Sequence, residues 1–257
     1  MVYGLWTGVS GCARVPPGLY VVTVPFADVR AVPDHPVQSY AHDPHQETQL
    51  LLFERVRVIK TQGAWALIEA VEQPEYTHHQ RWEGYPGWVL RSAIQPVSPR
   101  DAAPASATTH LPLPQQRQAI VRAAEAFIGT PYLWGGRSPA TAGAATTGVD
   151  CSGLVNLAYR SVGMQIPRDA HEQWMRATNI ERPEPADLIF LSEKNHPAKI
   201  VHVMLDAGDG WLIEAPGTGL TVRRIEAAKR LGRPLRELKS GDVIDGQTMS
   251  FGSYLAP

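Results

Sequence analysis

The sequence predicts an α+β protein whose main domain follows a small β-barrel. Three observations carry this. Residues 20–97 contain short runs with β-branched or aromatic residues at alternating positions. Residues 98–114 are rich in Pro, Ala, Ser and Thr and show no periodicity. Residues 115–257 start with helical spacing and finish in short strands.

The alternating runs of the first unit are VVTVPF, LLFERVRVIK, AWALIEAV and GWVLRSAI, with Gly63, Pro74 and Gly84-Tyr85-Pro86-Gly87 between them. Short strands at this spacing read as a small barrel. SPRDAAPASATTHLPLP then reads as an extended linker. QQRQAIVRAAEAFIG carries apolar residues at helical spacing and stops at Gly129. A second helix is expected from about Cys151 to Val162, closed by Gly163, and RDAHEQWMRAT reads as a third. DLIFL, IVHVML, GWLIEA and LTVRRI follow as strands separated by hairpin-sized gaps, which implies an antiparallel sheet. The domains expected are therefore an N-terminal segment 1–19, a barrel 20–97, a linker 98–114 and an α+β domain 115–257.

Composition narrows the function. The chain has 257 residues, 44% hydrophobic and 19% charged, with a formal net charge of -1. No basic field is present to hold a phosphate backbone, so no nucleic-acid partner is expected. No apolar run approaches the roughly 20 residues that span a bilayer. Two cysteines, Cys12 and Cys151, exclude a disulfide framework and a CxxC-type zinc site. Val9-Ser10-Gly11-Cys12 resembles a lipoprotein cleavage box, but no Lys or Arg precedes it, and the apolar stretch is short and broken by glycines.

The candidate chemistry centres on Cys151. Asp150 is a good N-cap, and LVNLAYRSV supplies an apolar helical stripe, so Cys151 falls in a first helical turn. Unpaired N–H groups and the helix dipole favour a thiolate there, and the thiolate is the nucleophile. The bland alternative is a buried, inert thiol. A cysteine nucleophile needs a base. Of nine histidines, His35, His42, His45, His78, His79 and His110 fall in the barrel or linker. His171 is expected on a helix surface and His196 in the polar loop EKNHPAK. His202 lies inside the strand IVHVML, where a rigid backbone would hold a base. A hairpin centred on Asp209-Gly210 would bring the strand of Glu214 beside it, and Glu214 could then fix the imidazole tautomer.

Five ordered blocks carry a family resemblance: PYLWGGRSP, DCSGLV, GMQIPRDAHEQ, PADLIFL and VHVMLDAGDGWLIEAPGTG. In this order they resemble the NlpC family of cell-wall cysteine peptidases, which implies a papain-like α+β fold. The runs ETQLLLFERVRVI, AWALIEA and YPGWV resemble a bacterial SH3-like barrel. That pairing resembles the gamma-D-glutamyl-L-diamino-acid endopeptidases. The resemblance implies cleavage of released peptidoglycan stem peptides, L-Ala-gamma-D-Glu-diamino acid, that carry a free N-terminal L-Ala. It implies Cys151, His202 and Glu214 as the catalytic set. It implies an ammonium site drawing on Glu47, Tyr85, Asp150, Ser152 and Asp169, and places Tyr132 near the oxyanion site. Trp134 is a second candidate to line the cleft. No metal or organic cofactor is implied.

Glu214 departs from the family, where the third position is commonly His, sometimes Asn or Gln. A carboxylate there can still orient His202 and strengthen a thiolate–imidazolium pair. The loop RSPATAGAATTGVD is longer than usual and reads as a flap. Two rival readings are an amidase or acyltransferase on the same fold, and a non-catalytic wall-binding module. A requirement for released peptides fits a cytoplasmic location, while Cys12 leaves a periplasmic or lipid-anchored one open.

Overall fold

The computed structural model describes residues 18–34, 42–97, 111–138 and 147–255. Cys12, His35, His110, most of the expected linker and the middle of the expected flap lie outside the described residues.

The first unit is a seven-stranded antiparallel sheet. Its strands are β1 (Gly18–Val22), β2 (Phe26–Arg30), β3 (Gln46–Leu51), β4 (Arg55–Gln62), β5 (Trp65–Tyr76), β6 (Trp82–Leu90) and β7 (Ile94–Pro96). They lie in the order β3-β2-β6-β5-β4-β1-β7. The alternation legible in the sequence decides which face is inside. Val56 and Val58 of β4, and Ala66, Ile68 and Ala70 of β5, point inward and are buried. With Val22, Val29, Leu50 and Val89 they form one apolar core. Each large side chain so buried contributes roughly 1.5–3 kcal/mol.

The second unit begins with α1 (Leu113–Glu125), α2 (Cys151–Arg160) and α3 (Ala170–Arg176). Pro114 near the helix start fits the first turn of α1, where its missing N–H costs nothing, so the helix starts inside the stretch read as linker. After α3 come β8 (Thr178–Asn179), β9 (Leu188–Glu193), β10 (His196–Gly208), β11 (Trp211–Glu214) and β12 (Arg223–Glu226). A short α4 (Ala227–Leu231) and the pair β13 (Val243–Ile244) and β14 (Gln247–Ser253) complete it. The sheet order is β12-β11-β10-β9-β14-β13, all antiparallel, with β8 on β14. One face of this sheet buries α1 and α2: Leu154, Val155 and Tyr159 pack with Phe190, Val203, Leu205 and Ile213. The other face buries Met204, Leu212 and Met249 under Ala227 and Leu231 of α4. Among the described residues no helix is long and apolar enough to cross a membrane.

Buried charge joins the two units. Arg137 reaches across to Glu54, with guanidinium-to-carboxylate distances of 3.0 and 3.1 Å, and Arg160 grips the same carboxylate. Arg137 also donates to the Gln49 carbonyl at 2.8 Å, and Arg168 donates to Thr48 Oγ1 at 2.8 Å. Gly135 lets the units approach. Its φ is +70°, and a Cβ there would sit 2.7 Å from Gln46 Cγ and 3.0 Å from the Glu47 carbonyl oxygen.

Candidate active site

Cys151 is the first residue of α2. Asp150 caps this helix, its Oδ1 accepting from the Gly153 N–H at 2.7 Å. The thiol is therefore held at the positive end of the helix, among N–H groups with no helical partner. Asp150 does more than cap. Its second oxygen accepts from the Gly135 N–H at 2.9 Å and from Arg168 at 2.6 Å, so the carboxylate is anchored on both sides.

His202 sits in β10 and lines the same cleft as Cys151. Its Nε2 lies 2.9 Å from Glu214 Oε2, which leaves Nδ1 for the thiol. The hairpin geometry explains this contact. Asp209 and Gly210 both have positive φ, 53° and 78°, as a two-residue turn of the primed type requires. The register pairs Asp206 with Leu212 and Leu205 with Ile213. Continued by one residue, it puts Glu214 across from Met204, diagonal to His202, and the long glutamate side chain covers that diagonal.

Glu214 is fully buried, and two arginines share it. Arg223, its cross-strand partner on β12, donates to Oε1 from Nε at 3.0 Å and from Nη2 at 2.7 Å. Arg230 on α4 reaches both oxygens from Nε, at 3.1 and 3.0 Å. Burial alone would raise the Glu214 carboxyl, but the hydrogen bond from His202 and the charges of His202 and Arg230 hold it down to about 2. Burial alone would lower His202, but Cys151 and Glu214 raise it to about 9. His202 is therefore held as imidazolium at neutral pH.

A cleft of about 610 Å³ opens over Cys151 and His202. The first unit supplies Gln46, Glu47 and Tyr85 to one end of it. There the Tyr85 hydroxyl lies 3.2 Å from Glu47 Oε2 and 3.0 Å from Asp169 Oδ2. One hydroxyl hydrogen serves two carboxylates, so this end of the cleft is short of donors. Burial and the nearby Asp150 and Glu172 push Asp169 up to about 6, against the pull of Arg168 and Tyr85. Behind it, the carboxylates of Glu75, Asp169 and Glu172 lie within 4.8 Å of one another. Burial, with the repulsion of Asp169 and Glu172, pushes Glu75 up to about 9. One Glu75 oxygen is buried with no hydrogen-bond partner. This acidic end is suited to a cation. Among the described residues, Glu75, Asp169 and Glu172 are also the trio spaced to hold a metal ion.

Residues 129–231 match the model of the NlpC/P60 family. The chain carries an NlpC/P60 domain. Peptidoglycan endopeptidase RipB of Mycobacterium tuberculosis is 37% identical over 134 residues, 47% of this chain and 54% of RipB, so the chain spans about half the length of that relative. The gamma-D-glutamyl-L-lysine dipeptidyl-peptidase of Bacillus subtilis is 26% identical over 229 residues, 68% of this chain and 74% of that one. A solved NlpC/P60 family protein from Bacillus cereus ATCC 10987 shares the fold, with a TM-score of 0.69 at 19% identity, over 93% of this chain and 100% of its own.

Within the NlpC/P60 domain and its neighbour, eight of the residues singled out from the sequence line this one cleft: Cys151, His202, Glu47, Tyr85, Asp150, Ser152, Asp169 and Tyr132. Glu214 stands behind His202 instead. Ser152 is turned away from solvent, accepting from Arg168 at 2.8 Å and lying 3.2 Å from Asp150 Oδ1. Tyr132 is buried, and burial, with the charges of Asp150 and Cys151, keeps its phenol protonated and able to donate. Trp134 also lines the cleft. His171 is not on a free helix surface: it lines the cleft, and its Nδ1 accepts from the Ile200 N–H at 3.3 Å, because α3 packs on β10. His196 is the first residue of β10 rather than part of a loop.

Sequence reasoning missed Arg223, Arg230, Arg168, Glu75 and Glu172. Arg223 had a signal, since the strand LTVRRI was legible and hairpin register puts it opposite Glu214. Arg230, Arg168 and Glu75 meet their partners across longer chain separations, whereas Glu172 sits three residues from Asp169.

Proposed function

We propose that this protein is a cysteine endopeptidase that hydrolyses the gamma-D-glutamyl bond to a diamino acid in released peptidoglycan stem peptides with a free N-terminal L-Ala. The observation that carries this reading is the pairing of a thiol–imidazole–carboxylate line with an acidic end-wall in one cleft. A free ammonium finds Glu47 and Asp169 there, bridged by Tyr85, while Glu75 behind them, pushed up to about 9, is a neutral carboxyl at pH 7. Asp150 contributes charge to this end, although its oxygens are engaged by Arg168, Gly135 and Gly153. The first unit acts as an SH3-like module that closes the amine end of the cleft. The relatives named for peptidoglycan and for gamma-D-glutamyl-L-lysine cleavage point the same way.

In the mechanism, the Cys151 thiolate attacks the gamma-carbonyl carbon of D-Glu. The Cys151 N–H and the Tyr132 hydroxyl stabilise the oxyanion. As the amide C–N bond breaks, His202 gives its proton to the leaving amine, and a thioester remains. Water, losing a proton to His202, then adds to the thioester carbonyl; the C–S bond breaks, the acid product leaves, and the thiolate and protonated His202 are restored. Glu214 keeps the imidazole in the orientation both steps need. The released-peptide substrate fits a cytoplasmic enzyme.

The free-amine requirement is testable with L-Ala-gamma-D-Glu-diaminopimelate and its N-acetylated form. The acetylated peptide should turn over much more slowly. Equal turnover would remove Glu47 and Asp169 from substrate binding.

A further inference from the structure

Two arginines close on the buried carboxylate behind the catalytic histidine, and their placement is built into the fold. Arg223 is fixed by strand register, opposite Glu214. Arg230 is fixed by α4, whose Ala227 and Leu231 are buried against the sheet face that also holds Met204 and Leu212. The Ala227 N–H donates to the Gly210 carbonyl at 2.8 Å, and Gly232 ends the helix with φ at +77°. The helix is thus tied to the His202–Glu214 hairpin itself.

The geometry assigns Arg223 and Arg230 as positioning residues of the catalytic site, holding Glu214 ionised and aimed at His202 while taking up part of its charge. This rests on the reading of Cys151 and His202 as nucleophile and base. A buried carboxylate with imidazolium as its sole cation would bind that proton very tightly, leaving a poor acid for the departing amine. Sharing the carboxylate with two guanidiniums weakens that hold. The same device explains how a glutamate can occupy the position. Its negative charge is balanced within the protein, and one of its oxygens is fixed by two donors of Arg223.

Among the described residues, the charged groups around His202 are Cys151 at the start of α2, Glu214 on β11, and behind Glu214 its partners Arg223 on β12 and Arg230 on α4; Asp150, the cap of α2, lines the same cleft and is paired with Arg168. On α3, His171 accepts from Ile200, and on its own strand Lys199 pairs with Glu193 of β9 at 3.1 Å. Arg230 spans both Glu214 oxygens, so its loss leaves Arg223 to keep the carboxylate in place but removes half of the balancing charge.

The test is an NMR pH titration of the His202 imidazole, assigned by loss of its signal in His202→Ala and needing no substrate. In Arg230→Met the midpoint should rise by at least ~0.5 pH unit above that of the wild type. Arg230→Lys, which keeps the charge, should return it most of the way. Arg223→Met is the second variant, on a more exposed side chain, and should shift it in the same direction. An unmoved or lowered midpoint in both Met variants, or no rescue by Lys, overturns the assignment. Failure of the endopeptidase reading would show separately, as an intact peptide with wild-type enzyme.

Discussion

Glu214 Oε2 lies 2.9 Å from His202 Nε2, while its other oxygen is taken by Arg223. This division of the carboxylate decides what Glu214→Gln should do. An amide has one accepting oxygen. The two Arg223 donors, which both bind Oε1, claim it, and the amide NH2 then faces His202. That arrangement opposes protonation of Nε2 and so opposes imidazolium. The His202 midpoint should drop from about 9 toward the ordinary histidine range, and kcat/KM should fall roughly 100-fold. A pH–rate profile compared with wild type checks both.

Asp169 gives a second pH effect at the other end of the cleft. Its carboxyl is pushed up to about 6, so it is ionised above that pH and neutral below it. An ammonium binds the ionised form. KM for a free-amine peptide should therefore climb as pH falls through about 6, more steeply than for the N-acetylated peptide. Asp169→Asn should raise KM throughout and flatten this limb. Steady-state kinetics from pH 5 to 8 measures it.

The junction between the units should prove essential to stability. Glu54 is buried under Arg137 and Arg160. Glu54→Gln leaves the buried Arg137 without its anion, and such losses cost about 3–5 kcal/mol. Urea unfolding should show a midpoint well below wild type, with loss of activity following loss of fold.

Gly135→Ala separates binding from chemistry. The added methyl would meet Gln46 and the Glu47 backbone at a residue with φ of +70°. The wall carrying Glu47 must move outward, while Cys151 and His202 lie on other elements. KM should rise several-fold more than kcat falls, measured on the free-amine tripeptide.

What was legible in the sequence was local. The Asp150 cap, the Cys151 helix start and the Asp209-Gly210 turn each depend on residues within a few positions, and the structure has all of them. The contact of His202 with Glu214 followed from one hairpin. Arg230, by contrast, sits on a five-residue helix too short to show a period, and it meets Glu214 only because α4 folds back over the hairpin. The Glu54–Arg137 pair joins residues 83 apart. No periodicity encodes such a pair, and each member read from sequence is an ordinary surface charge. His171 shows the converse: helical spacing put it on a surface, and packing of α3 on β10 buried that surface in the cleft.

The central claim is that Cys151 cleaves the gamma-D-glutamyl bond. Mass spectrometry of the products from L-Ala-gamma-D-Glu-diaminopimelate tests it most directly. Wild-type protein should yield L-Ala-D-Glu and free diaminopimelate, and Cys151→Ala should leave the tripeptide whole. An uncut tripeptide with wild-type enzyme, cleavage at the L-Ala bond, or undiminished release by Cys151→Ala would contradict the account.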